Sequence, residues 1–278
     1  INKSLTLNLS DNLKNAGTIF AKENLSFADS ELNSFENSGE ISFDNLLNGL
    51  RTKSLTNSGN IISTQDLNIT TSENFNNAGS ISSQNNFTIN SQNIFTNSGI
   101  IFATKNLNLF SDSFTNDGEI SALQNLAITN SGSLTNRNRI LANQTLAISS
   151  NSLTNSGTIA SLSNVLTLTI ANDLQNSGEI SSALKTKITA TNLNNSGNIL
   201  SSDELEIILT NLLTNSANLQ SQKKLSLSAG TLSNSGFIKS FDTAKIETST
   251  ISNDGIILAI KDSEIYATTS LINSGSIL

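Results

Sequence analysis

The residues of this chain that could do chemistry are its carboxylates, because it contains no histidine and no cysteine. Without these residues the usual zinc ligand sets, a Ser-His-Asp triad and a thiol redox motif are excluded. We therefore predict no cofactor and no metal. The chemistry left to carboxylates alone is cleavage of glycosidic bonds, which needs two carboxyl groups about 5 to 9 Å apart.

Three acidic groups are candidates for such a pair: Glu40, Glu119 and Glu179; Asp112, Asp117 and Glu119; Asp203, Glu204 and Glu206. The first group shares one place in a repeated phrase, but its members stand four and three repeats apart, too far to cooperate. The other two have no obvious basic partner arranged for catalysis. We interpret all three as solvated surface charge and predict that the chain is not an enzyme. Weak cation binding at Asp117 and Glu119 stays open.

Charge and hydropathy exclude two further classes of partner. A net charge of −7 and a pI near 4.6 oppose binding of nucleic acid, whose phosphates such a surface repels. The longest apolar run, Ile256 to Ile260, is far too short for a bilayer span, so we predict no membrane insertion by this segment. Because the chain starts in mid-repeat at Ile1, we expect a fragment of a longer filamentous protein without its own caps.

The elements that must position any site come from one phrase that recurs along the whole chain. Its Asn stands at fourteen places, in steps of 19 to 22 residues. These are Asn15, Asn37, Asn57, Asn77, Asn97, Asn116, Asn136, Asn155, Asn176, Asn195, Asn215, Asn234, Asn253 and Asn273. A period of this length indicates a repeat architecture, and we predict one repeat domain over residues 1–278.

Counted from its Asn, the repeat is N-S-G-x-I-x-[SA], three variable positions, L-x-I, a variable loop and L-x before the next Asn. Each patterned stretch alternates with period two, which indicates a half-buried strand. Such short strands form a core only by stacking on copies of themselves. The sequence therefore predicts an all-β fold, a right-handed parallel β-helix (solenoid) of about 14 coils of 19–22 residues with three short strands per coil.

Two residues of the phrase are predicted to shape the corner. The Gly two places after the Asn occurs in twelve of fourteen repeats, and we interpret it as a residue at positive φ. On that interpretation the exceptions, Asn138 and Ala217, mark corners that are strained or differently shaped.

The Asn of the phrase follows an inward apolar residue by two places, so we predict that it faces the interior. Stacked amides can each donate to one neighbour and accept from the other, forming a ladder. The alternative is a solvated turn Asn, which would drift to Asp, Ser or Gly; no repeat shows that drift. The predicted structural ladder is Asn57, Asn77, Asn97, Asn116, Asn136, Asn155, Asn176, Asn195, Asn215, Asn234 and Asn253.

Two other columns support stacking. Phe75, Phe95 and Phe114 occupy one inward place in consecutive repeats, which predicts stacked rings. Outward charges alternate in sign in two columns, Lys185, Glu204 and Lys224 in one and Lys187 and Glu206 in the other. Opposite charges on adjacent strands favour pairing, so we interpret these columns as control of register.

A partner-contact patch is the remaining candidate site. The place after the repeated Ile points outward but holds large apolar residues in scattered repeats, and the patch is predicted at Phe102, Ile100, Phe110 and Leu141. The longest insertion, Ala28 to Ser34, lies in a loop of the kind that solenoids use for binding, although tolerated drift is the simpler explanation.

The pattern L-x-N-S-G-x-I-x-[SA]…L-x-I resembles the haemagglutinin repeats of filamentous haemagglutinins and CdiA-type contact-dependent inhibition exoproteins. Two stretches carry it clearly, "LTNSGNIISTQDLNI" from Leu55 to Ile69 and "LNNSGNILSSDELEI" from Leu193 to Ile207. The resemblance implies export through an outer-membrane two-partner-secretion transporter and a location in the secreted fraction or on the bacterial cell surface. It further implies a structural shaft serving adhesion, through a host-cell or target-cell receptor or glycan, or toxin presentation.

The alternative function left open is a β-helix protein that binds or cleaves polysaccharide. Enzymes of that kind cut acidic polysaccharides with carboxylates clustered on one face of the β-helix.

Overall fold

The structure of the chain is a computed structural model, which describes residues 3–27 and 31–278. The described residues form 37 β-strands and no helix. The strands are parallel and stack as a β-solenoid of about 14 turns, which confirms the predicted parallel β-helix. Residues Ala28 to Ser30 of the predicted long loop lie outside the described residues.

Contacts divide the chain into two compact units, which we describe separately. Unit 1 is Ile1–Ser133 with Arg137–Ala142, and unit 2 is Leu134–Asn136 with Asn143–Leu278. The single repeat domain over residues 1–278 stays a prediction.

Most turns carry strands on three faces, which we name by their place in the repeat. Face 1 follows the Asn-Ser-Gly corner, face 2 carries the L-x-I pair, and face 3 ends at the repeated Asn. Asn60–Ser63, Leu67–Thr71 and Phe75–Asn77 form these faces in one turn. Inward residues alternate with outward ones along each strand, as the period-two pattern predicts.

Unit 1 contains the first set of strands. In chain order they are Leu5–Leu7, Asn12–Asn15, Thr18–Phe27, Leu32–Asn37, Glu40–Leu47, Leu50–Asn57, Asn60–Ser63, Leu67–Thr71, Phe75–Asn77, Ser80–Ser83, Phe87–Ser91, Ile94–Asn97, Ile100–Ala103, Leu107–Ser111, Ser113–Asn116, Glu119–Ala122, Leu126–Asn130 and Arg139–Ala142. Strands one repeat apart pair in register, as in Ile81 with Ile101 and Phe87 with Leu107.

Unit 2 contains the second set of strands. The first of them is Ser133–Asn136, of which residues Leu134–Asn136 belong to this unit. The others are Leu146–Ser150, Ser152–Asn155, Thr158–Ser161, Leu166–Ile170, Asp173–Asn176, Glu179–Ser182, Thr186–Ala190, Asn192–Asn195, Asn198–Ser201, Leu205–Leu209, Leu212–Asn215, Asn218–Ser221, Lys224–Asn234, Phe237–Ser240, Thr243–Asn253, Ile256–Ala259, Ser263–Asn273 and Ser276–Ile277. The register is again one repeat, as in Ile180 with Ile199 and Leu193 with Leu213.

The two cores differ in the inward place of face 3 that precedes the Asn. In unit 1 Phe75 stacks on Phe95 with ring centroids 4.7 Å apart, and Phe95 meets Phe114 edge-on at 4.6 Å. In unit 2 the same place holds aliphatic residues such as Leu174 and Leu193, both buried. In both units this inward column packs one apolar side chain per turn directly against the next, at the spacing of the strands.

The small inward residue at the end of face 1 has a role that the pattern alone did not predict. The Oγ of Ser83 lies 2.7 and 3.1 Å from the carbonyl oxygens of Gln65 and Asn86, and that of Ser240 has the same relation to the carbonyls of Lys223 and Thr243 in unit 2. A hydroxyl has one hydrogen, which these two acceptors share. A serine here therefore serves corner carbonyls of its own turn and of the preceding one.

Candidate functional site

The most regular polar feature of the structure is a buried ladder of Asn amides. In unit 1 Nδ2 of Asn57 donates to Oδ1 of Asn77 at 2.8 Å, to the carbonyl of Gly59 at 3.0 Å and to that of Ser80 at 3.3 Å. The same three contacts recur at Asn77 and Asn97. An amide nitrogen has two hydrogens, so one of them is shared between two acceptors.

Unit 2 contains an equivalent ladder from Asn136 to Asn273. Every Nδ2 to Oδ1 distance in it lies between 2.6 and 2.8 Å. Backbone hydrogen bonds also link successive turns here. The carbonyl of Asn176 accepts from the backbone amides of Ser196 and Gly197 in the next turn at 2.8 and 3.1 Å. The ladder thus ties each turn to the next through both side chain and backbone.

The reason for the corner glycine differs from the prediction. Among the described residues positive φ occurs at Asn48 and Gly49, a turn between Glu40–Leu47 and Leu50–Asn57, and at none of the repeated corners. A Cβ on Gly99 would instead lie 2.0 Å from the carbonyl oxygen of Gly79 in the preceding turn. The positive-φ interpretation is therefore wrong: glycine is needed because the backbones of successive turns approach too closely for a side chain.

The two corners without glycine are differently shaped in a measurable way. The backbone amide after the corner donates to the corner carbonyl of the preceding turn. That bond is 3.2 Å from Arg139 to Gly118 and 3.2 Å from Asn218 to Gly197. Where the corner residue is glycine, the bond is shorter. At the corner that contains Gly99, the amide of Ile100 lies 2.8 Å from the carbonyl oxygen of Gly79. The two turns are therefore held slightly farther apart where the corner residue has a Cβ, as at Asn138 and Ala217.

A second, half-buried amide ladder runs along face 2 of unit 1. Asn125 donates to Asn106 at 2.9 Å, Asn106 to Asn86 at 2.9 Å, and Asn86 to the carboxylate of Asp66 at 3.1 Å. These residues all precede the first apolar residue of the face 2 strand. Sequence reasoning missed this ladder, although the recurrence of Asn at that place was a usable signal.

In unit 2 the same place carries the predicted alternating charges. Glu204 lies 3.3 Å from both Lys185 and Lys224, and Lys185 lies 2.6 Å from Glu206. The hydrogen bond from Lys185 lowers the pKa of Glu206, and the same bond raises the pKa of Lys185. Lys187 lies 3.6 Å from Glu206 and is the second cation beside that carboxylate.

The acidic group of unit 1 has basic partners that the sequence analysis did not identify. Asp117 pairs with Arg137 at 2.9 Å, and Glu119 pairs with Arg139 at 3.5 Å. Both arginines come from the next turn, so the pairs also join adjacent strands. No group of three or more metal-ligating side chains occurs within residues 3–27 and 31–278. No helix in that part of the chain is long and apolar enough to cross a bilayer.

The structure brings together two of the four residues of the predicted contact patch. Ile100 and Phe102 lie on the outer side of one face 1 strand, with Ile100 49% exposed and Phe102 half-buried. Leu141, two strands away on that face, is only 8% exposed and offers little surface. Phe110 belongs to face 2 and is therefore separate from the others. Contact with a partner stays a prediction.

Phe110 has its own surroundings on face 2. Its ring is 43% exposed and lines a shallow groove with Asn90, Gln92, Asp112 and Thr129. An exposed aromatic ring beside amide and hydroxyl groups offers both a flat apolar surface and hydrogen-bonding partners.

Comparison with known proteins gives one match. A family model described as the haemagglutinin repeat matches residues 1–107, 103–178 and 180–277. No curated protein and no solved structure was found to match the chain.

Proposed function

Since this chain belongs to the haemagglutinin-repeat family, we propose that it is a non-enzymatic structural shaft of a secreted or cell-surface bacterial filamentous exoprotein. In that role it serves adhesion or the presentation of a contact-dependent inhibition toxin. The observation that carries the proposal is the buried Asn ladder, which repeats with one geometry in each unit.

The ladder supports a structural role because the invariant chemistry of the chain goes into joining one turn to the next. Most of the residues that change in chemical character between repeats point outward, whereas the inward places keep apolar residues, small residues or Asn. A catalytic site would instead need a set of side chains that is found in one place only and is not repeated from turn to turn. Five of the eight carboxylates considered for catalysis instead form ion pairs between successive turns: Asp117, Glu119, Asp203, Glu204 and Glu206.

Repeated stacking also supports export through an outer-membrane two-partner-secretion transporter. A chain whose turns contact only their neighbours can emerge unfolded and gain stability as each turn stacks on the last. Since the chain has no cysteine, no disulfide has to form during that passage.

Two internal deletions test the shaft. One variant lacks residues 58–97 of unit 1 and the other lacks residues 196–234 of unit 2, so each loses two whole repeats. Each is displayed between a cell-surface anchor and a fluorescent reporter. Both should keep the circular dichroism of a β-fold and bring the reporter closer to the surface by about 10 Å, two strand spacings. If either deletion leaves the reporter height unchanged, the chain does not act as a shaft.

Polysaccharide binding is the second candidate, and the exposed Phe110 ring favours it. The purified chain is tested on an array of acidic and neutral polysaccharides. Phe110→Ser should abolish any binding without changing the melting temperature, whereas Phe20→Ser, at another exposed ring, should not. A fall in viscosity of a polygalacturonate or hyaluronate solution would instead show cleavage and contradict the non-enzymatic assignment.

A further inference from the structure

The outer side of face 1 in unit 1 carries an alternation that the shaft role does not require. Its central column holds bulky apolar residues in every second turn, with serine between them. Consecutive register partners along this alternating column are Phe20, Ser42, Ile62, Ser82, Phe102, Ser121 and Leu141. The equivalent column of unit 2 includes Ser181, Leu200, Gln220, Lys239 and Leu258 and shows no such alternation.

A second outward column runs beside the first, two residues earlier on the same strands. Its consecutive members are Glu40, Asn60, Ser80, Ile100, Glu119 and Arg139. Thr18 precedes Glu40 in this column, so an acidic residue stands one strand from one end and a basic residue at the other. Arg139 pairs with Glu119 of its own chain at 3.5 Å, and 56% of its side chain stays accessible.

We propose that this face of unit 1 docks a second copy of the same chain. The two copies are related by a two-fold axis that lies parallel to the strands, between Ser80–Ser83 and Ile100–Ala103. Such an axis reverses the order of the strands and keeps each column opposite itself. The interface is thus isologous, the commonest kind in homodimers.

Packing in the alternating column favours this axis. Facing sheets pack about 10 Å apart, so opposed side chains must sum to a nearly constant size. The proposed axis places Phe102 opposite Ser82 and Ile62 opposite Ser121. Both pairs then combine one bulky residue with one serine, whereas Leu141, which is 8% exposed, adds little to the contact. An axis that passes through a strand would instead place bulky residues opposite bulky residues and serines opposite serines. The first pairs would clash, and the second would leave empty space between the sheets.

Charge in the second column selects the same axis. Glu40 of one copy faces Arg139 of the other, and this contact occurs twice by symmetry. Asn60 of one copy faces Glu119 of the other, and the Asn60 amide can donate a hydrogen bond to that carboxylate. Moving the axis by one strand would place Glu40 opposite Ile100 and desolvate a carboxylate without a partner.

The size of the face predicts a weak dimer. Six strands of four residues at 4.8 Å spacing cover roughly 350 Å² per copy. The total is below the roughly 1,200 Å² of a standard stable interface, so we expect a transient dimer at high protein concentration.

Sedimentation of the full chain from about 10 μM to 1 mM tests the proposal. The wild type should show a monomer–dimer equilibrium. Glu40→Arg sets like charges opposite each other at two places and should raise the Kd roughly tenfold. The double variant Glu40→Arg with Arg139→Glu reverses both partners and should return the Kd to within about threefold of wild type.

Glu179→Arg is the matched control, since Glu179 holds the same place after the corner but lies in unit 2. It should leave the Kd unchanged. Ser82→Phe sets two rings opposite each other and should abolish the dimer, while Ser82→Phe with Phe102→Ser should restore it. A thermal melt followed by circular dichroism confirms that each variant is folded.

A chain that stays monomeric up to 1 mM would overturn the proposal. So would a dimer that Glu40→Arg leaves unchanged, because the charged contact would then lie elsewhere. Either outcome leaves the shaft assignment intact, since a shaft needs no lateral partner.

Discussion

Unit 1 and unit 2 fill the same half-buried place before the face 2 strand with different chemistry. In unit 1 an amide ladder runs from Asn125 to Asp66, and in unit 2 Lys185, Glu204 and Lys224 alternate in charge. Both solutions join adjacent strands, although one is nearly neutral and the other ionic. A place that water can still reach therefore accepts either amide pairs or ion pairs, provided that the two side chains bond across about 4.8 Å, the distance between strands.

The buried corner shows no such freedom. Asn occupies the ladder in both units, and the Gly two places later is replaced only by Asn138 and Ala217. The difference arises because a buried polar group must find its partners within the protein, whereas an exposed one can also bond water. Changes at the corner should thus cost far more than the same changes on the surface, in either unit.

The largest effect is expected from placing a carboxylate in the buried ladder. Asn97→Asp in unit 1 and Asn195→Asp in unit 2 each remove the donor that serves the next Asn and two carbonyls. Each should lower the free energy of unfolding by about 3–5 kcal/mol at pH 8, as measured by urea denaturation. Burial raises the pKa of the new carboxyl above its unfolded value, so the loss should be smaller at pH 4 and grow as the pH rises.

Asn106→Asp is the matched control for these variants, because it makes the same change in the half-buried face 2 ladder, where water can still reach the side chain. It should cost less than about 1 kcal/mol. Equal losses at the buried and half-buried positions would remove the distinction between the two kinds of ladder.

A smaller effect is expected from filling the stacked corner. Gly99→Ala and Gly178→Ala put a methyl group against the backbone of the preceding turn, where a Cβ would lie 2.0 and 2.1 Å from a carbonyl oxygen. Each should cost about 1–3 kcal/mol, because two turns must separate. Gly17→Ala should cost little, since nothing lies within 4 Å of its Cβ position. A large loss at Gly17 would show that conformation, not close approach, requires the glycine.

The smallest expected effect is the dependence of stability on salt and pH, which distinguishes the amide ladder of unit 1 from the charged column of unit 2. Glu206→Gln in unit 2 should cost less than about 1 kcal/mol, because Glu206 and Lys185 are 23% and 33% exposed. That cost should shrink in 1 M NaCl, whereas the cost of Asn106→Ala in unit 1 should not change. Thermal melts in low and high salt measure both, and equal salt dependence would contradict the assignment.

The pKa shifts of the same pair define its pH window. Glu206 has a lowered folded pKa, so its contribution is present above its unfolded pKa of 4.5 and is lost as the pH falls through the folded value. Lys185 has a raised folded pKa, so its contribution is present below 10.5 and is lost as the pH rises. Glu206→Gln should therefore cost most between these limits.

Much of the fold was predictable because every repeat states the same local pattern. The alternation around Ile81 and Leu107, the turn residues and the fixed period lead to stacked parallel strands, since strands this short have no other way to bury a face. The stacked rings of Phe75 and Phe95 follow from the same register.

The candidate contact site was predicted less well. Phe102 and Phe110 are near in sequence but lie on different faces, because a corner of the turn separates them. Leu141 was expected to be exposed, yet it is nearly covered. The arginines beside Asp117 and Glu119 were missed because they come from the next repeat, about twenty residues away.

The sequence by itself determined the period, the three strands per turn and an inward column of Asn, since each follows from residue types at fixed spacing. Only the tertiary structure decided why Gly99 must be glycine and which charges meet across turns. These depend on the distance and register between residues one repeat apart. Local pattern specifies that successive turns stack, but the closeness of their backbones is a property of the stacked coils.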